Sequence, residues 1–433
     1  MPRSRVAVGL LLLSATLSLA SFRISTLTGP LDFSTLYSAG LAQRLGLDPY
    51  NVHTICALAQ GRPCLPYNYP PPLTVVLLPF AYLPYRLAVV LWLALMLVCS
   101  VLVGILAARL SGQHPTRMGL VAVFAGVLLF SPVRFVLTLG QSDPLEAAMT
   151  LLALLIVARA PVRSGMLGIL AMLMKPPTVA VPVVVGLYSR APRALVGAGL
   201  GALAAVALVA AGAAMGHSPG SVEDWLRAAL ATYRTTPPLP LVVFQLALAA
   251  GAVIRLAKVR GVILGHAELT FAVAAGLNVL LGTFLHLNPQ SMLLLVLPLC
   301  FVLRPVLATP QMMSRWTLAA VGACCGLLSG DALAAVSHSV GWTHALLPWG
   351  TLGLFLAGAT VLRPQLLTPA LACIATNMLA TFPPWYGAAQ TEFAAIGSFG
   401  LLVLLGIAVA GDSRSHLSLE GTAAEAGWAG WSR

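Results

Sequence analysis

YRLAVVLWLALMLVCSVLVGILAA, residues 85–108, carries no charge after Arg86. About 20 consecutive apolar residues are enough to cross a bilayer as a helix, so this stretch reads as a membrane span. Comparable runs recur from residue 6 to residue 410 of the 433-residue chain, which is 59% hydrophobic and 8% charged with mean hydropathy +0.93. A soluble domain carries about 25% charged residues. Here 24 basic and 12 acidic residues cannot cover a soluble body of 45.0 kDa, and a soluble cytosolic enzyme is excluded. The chain reads as an all-α polytopic membrane protein.

The expected spans are 6–22, 85–108, 118–136, 143–158, 164–175, 176–189, 194–215, 240–257, 267–285, 290–303, 314–330, 343–361, 367–382 and 392–410. Two of them, 164–175 and 176–189, are short and meet at Lys175-Pro176-Pro177. A proline pushes its predecessor out of helical geometry, so they read as a broken pair turning near one leaflet. The total is about 11–14 membrane segments. With Arg3 and Arg5 in the cytoplasm and sides alternating, 16 of the 24 basic residues fall inside and eight of the 12 acidic residues outside. That excess is what the positive-inside rule requires. It predicts a plasma or inner membrane protein with cytoplasmic termini. The net charge of +12 is dispersed in ones and twos, without the basic face that nucleic acid needs. Ser18-Leu19-Ala20 also resembles a signal-peptidase site, but retention as a first helix is the expected fate. Residues 1–410 read as one integral domain, and 411–433 as a polar, disordered cytoplasmic tail.

The first outer loop, residues 23–84, is the most informative segment. It contains Asp32-Phe33-Ser34-Thr35-Leu36-Tyr37, a short amphipathic helix ending near Gly46, and a turn at Asp48-Pro49-Tyr50-Asn51. Next come Leu65-Pro66-Tyr67-Asn68-Tyr69-Pro70-Pro71-Pro72 and a short apolar run, 72–84, that reads as a re-entrant or interfacial piece. Asp32, Ser34 and Thr35 also serve as helix caps in a plain structural reading. Of seven cysteines only Cys56 and Cys64 lie in an outer loop, where an oxidising compartment favours a local disulfide. A zinc site would need a second ligand pair.

Asp32-Phe33 with Tyr37, Asp48-Pro49-Tyr50, and Tyr69-Pro70-Pro71 leading to Pro79 and Pro84 resemble the start of glycosyltransferase family 87. Gly140-Gln141-Ser142-Asp143-Pro144 and Met174-Lys175-Pro176-Pro177 are similar to that family's Gly-Gln and Lys-Pro elements. The resemblance covers residues 30–190. It implies a GT-C fold and a mannosyltransferase that uses a polyprenyl-phosphate sugar. A late region departs from the pattern: His286-Leu287-Asn288-Pro289 stands where relatives carry Ser-Pro followed by aromatic, His or Asp residues.

Such a reaction needs a base for the acceptor hydroxyl and cations for the departing phosphate. Asp32, about ten residues beyond the first span, is the expected base. Lys175 is the expected phosphate ligand, with snorkelling to the headgroups as its bland alternative. Tyr50, Tyr67 and Tyr69 are candidates for stacking on a sugar or lining a lipid groove. Gln141 and His286 are further substrate-site candidates, each with a structural alternative. No metal and no other cofactor is expected. The partners are the lipid donor, membrane lipids, and a lipid, glycan or protein acceptor in the cell envelope; the anomeric carbon would be inverted. A transporter or flippase, and a non-catalytic scaffold, are the other classes. A transporter would show internal repeats and polar groups at the membrane midplane.

Overall fold

The computed structural model describes residues 2–21, 30–110, 116–129, 131–174, 191–215, 220–232, 342–362 and 364–380. Every regular element among them is helical. α1 (Pro2–Ser21) precedes α2 (Leu31–Arg44), α3 (Val52–Ala59), α4 (Pro71–Ala81) and α5 (Tyr85–Leu110). There follow α6 (Arg117–Leu129), α7 (Ser131–Leu139), α8 (Asp143–Ile156), α9 (Pro161–Met174), α10 (Pro192–Ala214) and α11 (Val222–Thr232). Nearer the C-terminus lie α12 (Trp342–Leu362), a 3-10 turn (Pro364–Leu366) and α13 (Leu367–Ala380). The expected spans 176–189, 240–257, 267–285, 290–303, 314–330 and 392–410 lie outside the described residues, as does the tail 411–433.

Among the described residues α5, of 26 residues, and α10, of 23, are long and apolar enough to cross a membrane. The expected span 118–136 is two helices instead, α6 and α7. Pro132 has no N–H to bond back to Leu128, so the chain restarts there as a new helix. The run expected as a re-entrant piece is the helix α4, which begins at Pro71-Pro72. Proline suits a first turn, where its missing N–H would be unpaired anyway. α3 was not expected. It is short, and its start is set by the Asn51 side chain, which accepts from the His53 and Thr54 amides at 3.0 and 3.3 Å.

The chain forms two compact units. In one, α1 packs along α12 and α6. Ser14 Oγ donates to the Thr351 carbonyl at 2.8 Å. A Cβ added at Gly358 would stand 2.8 Å from Leu11, so only a glycine lets these helices run this close. In the other, α9 and α10 touch backbone to backbone: a Cβ at Gly165 would overlap the Ala194 carbonyl, and one at Gly197 the Val162 carbonyl. Lipid gives helices no hydrophobic drive to associate, so close van der Waals contact across small residues has to supply it. α8 folds back on α9, with Ser164 Oγ donating to the Ala153 carbonyl at 2.8 Å.

Within that second unit α2 packs on α3 and α4. Gly40 admits α4 closely, since a Cβ there would lie 3.1 Å from the Leu77 carbonyl oxygen. Tyr37 Oη donates to the Leu83 carbonyl at 2.9 Å, and Arg44 Nη1 to the Ala81 carbonyl at 2.9 Å. These bonds tie the middle and the C-terminal end of α2 to the segment leading into α5. A disulfide joins Cys56 on α3 to Cys64, with Cα atoms 5.5 Å apart. Peptide mapping of unreduced protein is expected to recover the two cysteines as one linked pair. Recovery of both as alkylated thiols would remove the bridge.

Candidate active site

Asp32 lies in the first turn of α2, half-buried, where the partial positive charge of a helix N-terminus favours a carboxylate. The N-cap of α2 is Pro30 and no side chain makes a capping bond, so Asp32 is not held there as a cap. Gln141 Nε2 donates to Asp32 Oδ2 at 2.5 Å across 109 positions of sequence. One carboxylate oxygen is thereby fixed in direction.

Gly140 makes this meeting possible. Its φ is +74°, a left-handed conformation that side chains disfavour, and an added Cβ would lie 2.5 Å from Phe33 Cβ and 3.1 Å from Pro30 Cβ. Its carbonyl accepts from Trp92 Nε1 at 2.8 Å. The Trp92 ring stacks on Phe33 with centroids 5.4 Å apart, and Phe80 meets Trp92 edge-on at 5.4 Å. The first turn of α2 is thus clamped between Gly140 and an aromatic cluster on α4 and α5, and Asp32 sits on that turn.

Beyond Gln141 the chain turns into α8 with its acids buried. Asp143 and Glu146 are both 0% exposed, and Ser142 Oγ donates to Glu146 Oε1 at 2.6 Å. Glu146 was not singled out from sequence. The one hint was an acid one helical turn after Ser142, at the head of a largely apolar helix. Burial makes Asp143 and Glu146 poor partners for an external acceptor, whereas Asp32 keeps an exposed edge. Among the described residues no three His, Cys, Asp or Glu side chains are grouped to hold a metal ion.

The three candidate tyrosines come together. Tyr67 is wholly buried, its ring 5.5 Å from that of Tyr50 and 5.6 Å from that of Tyr69. Tyr50 Oη donates to the Tyr69 carbonyl at 2.8 Å. Burial first, then the charges of Asp48 and Asp224, pushes the Tyr50 phenol well above its ordinary range. Burial, with Tyr50 and Tyr69 beside it, does the same for Tyr67. Both stay protonated and can donate but not act as bases. Tyr67, with no exposed face, packs the loop; Tyr50 and Tyr69 are half-buried and keep surface for a ligand. From α11, Trp225 Nε1 donates to the Asn68 carbonyl at 3.0 Å and braces the same stretch. Lys175 and His286 lie outside the described residues.

Residues 67–310, more than half of the chain, match glycosyltransferase family 87. The chain belongs to that family. Comparison with curated proteins and with solved structures finds no match. Membership makes the protein a glycosyltransferase, which sets aside the transporter and the scaffold. With two apolar helices of membrane-crossing length, it also supports a membrane enzyme acting between a sugar donor and an acceptor. Gln141 falls within the matched residues; Asp32 and Tyr50 precede them.

Proposed function

We propose that this family 87 enzyme transfers a hexose, mannose first among them, from a polyprenyl-phosphate donor to an acceptor hydroxyl at the outer face of the membrane. The hydrogen bond from Gln141 to half-buried Asp32 carries the reading. In this reading the Asp32 carboxylate, oriented by Gln141, takes the acceptor proton as the acceptor oxygen bonds to the anomeric carbon. The bond from that carbon to the phosphate oxygen breaks, polyprenyl phosphate departs, and the anomeric configuration inverts. Positioned bases of this kind contribute about two to four decades of rate.

Lys175, which follows α9 directly in sequence, supplies positive charge to the departing phosphate in this scheme. Tyr50 and Tyr69 contact the sugar or its lipid, and His286 joins them from a later outer loop. The scheme uses no metal. The surrounding frame is a GT-C fold of about 11–14 spans with cytoplasmic termini and the loop 23–84 outside. Membranes containing the protein should transfer label from radiolabelled polyprenyl-phosphate mannose to a membrane acceptor. Transfer from a nucleotide sugar and none from the lipid donor would sink the proposal.

A further inference from the structure

A cavity of about 340 Å³ lies at the start of α5, lined by Arg62, Pro84, Tyr85 and Arg86. That volume is within the range of small-molecule sites, roughly 300–1,000 Å³. Arg62 reaches it from the disulfide-closed loop, its guanidinium 4.1 Å from the centroid of the Tyr85 ring and 5.8 Å from that of Tyr37. Its Nη2 donates to the Leu58 carbonyl at 3.0 Å, while its buried Nε has no acceptor among the described residues. A guanidinium presents five donors in a fixed fork, so most of this one is unspent. Neither Arg62 nor Arg86 pairs with a carboxylate among the described residues, where the ion pairs are those of Arg227 with Glu223 and Asp224. One arginine at a span end is ordinary snorkelling. Two that converge on one cavity from separate segments, one held in place by an aromatic ring, make an anion site.

The surroundings identify the anion's carrier. Leu87, Val90, Leu91, Leu95 and Val98 are exposed along α5, beginning one residue past Arg86. Leu87, Leu91, Leu95 and Val98 follow at helical spacing and form one apolar face, which on a membrane-crossing helix meets lipid. A ligand with its charge between the arginines would find a path for a hydrocarbon chain directly below. We propose that the Arg62–Arg86 cavity binds a lipid-borne phosphate. Its identity as the donor's phosphate rests on the transfer reading above; the phosphate site itself does not.

Binding can be measured on the full-length protein in phosphatidylcholine nanodiscs, with polyprenyl monophosphate as the probe. The wild type should bind it at least tenfold more tightly than the phosphate-free polyprenol. Arg62→Gln and Arg86→Gln should each weaken binding about tenfold, as expected for one charge-assisted hydrogen bond. Arg62→Lys should recover part of the loss. Arg86 is exposed, so its variant tests the site even if Arg62→Gln misfolds. Equal binding of polyprenol, unchanged binding in both Gln variants, or displacement by inorganic phosphate at equal concentration would overturn the proposal. Displacement by phosphatidylglycerol at equal mole fraction would assign the site to bulk anionic lipid; resistance to a hundredfold excess would assign it to the polyprenyl donor. Asp32→Asn should bind the probe as the wild type does, so failure of the catalytic reading and failure of this one give different results.

Discussion

Asp32→Asn should leave the protein in the membrane at its normal level and lower sugar transfer by on the order of two to four decades. The amide keeps the volume of the carboxylate and an oxygen for the Gln141 donor, yet cannot take a proton. No cap is lost, because α2 starts at Pro30 without a side-chain capping bond. The favourable charge at the helix N-terminus disappears, at a cost of about 0.3–1 kcal/mol, too little to empty the membrane of folded protein. Lys175→Met should act differently and weaken donor binding as well as rate, since the phosphate is charged before and after the bond breaks. Retention of more than about a tenth of wild-type transfer in Asp32→Asn would be too small a loss for a general base. Asp48 would then be a poor substitute, as it accepts from the Tyr50 amide at 2.9 Å within its own turn. Asp143 is fully buried. His286 would be the remaining candidate.

The apolar helices α5 and α10 and the helix carrying Asp32 were legible in the sequence because each depends on neighbours a few positions away. Hydropathy over residues 85–108 is enough to place α5. The join of α6 to α7 was missed because hydropathy does not drop at Ser131-Pro132; only the missing proline N–H betrays it. That Asp32 and Gln141 share one site was expected of a transferase, but their direct bond was not legible. Both residues stood as candidates, but their contact spans 109 positions and no local pattern encodes it. Tyr67 looked like its neighbours Tyr50 and Tyr69, and only the fold separates the buried ring from the two half-buried ones. The arginine cavity was hidden for a similar reason: Arg62 and Arg86 are ordinary loop and span-end residues until Tyr85 brings them to one place.

Gly140→Ala is expected to damage the site severely through a single added methyl group. Two terms contribute. The left-handed backbone at φ +74° costs a side chain about 1–2 kcal/mol. The new Cβ would also stand 2.5 Å from Phe33 Cβ, on the turn that carries Asp32, so α2 must move to admit it. Gly61→Ala isolates the first term, because Gly61 has φ +78° and nothing within 4 Å of the added carbon. On heating in detergent, Gly140→Ala should therefore lose about 1–3 kcal/mol more stability than Gly61→Ala, the usual cost of overpacking. Its transfer activity should fall about a hundredfold, since a displacement of about 1 Å can cost that much. The protein would still reach the membrane, because α5, α9 and α10 do not depend on this contact. If Gly140→Ala matched Gly61→Ala in stability and kept wild-type transfer, α2 would not be seated on Gly140 in the working enzyme. The Gln141–Asp32 bond would then not be the geometry that performs the reaction.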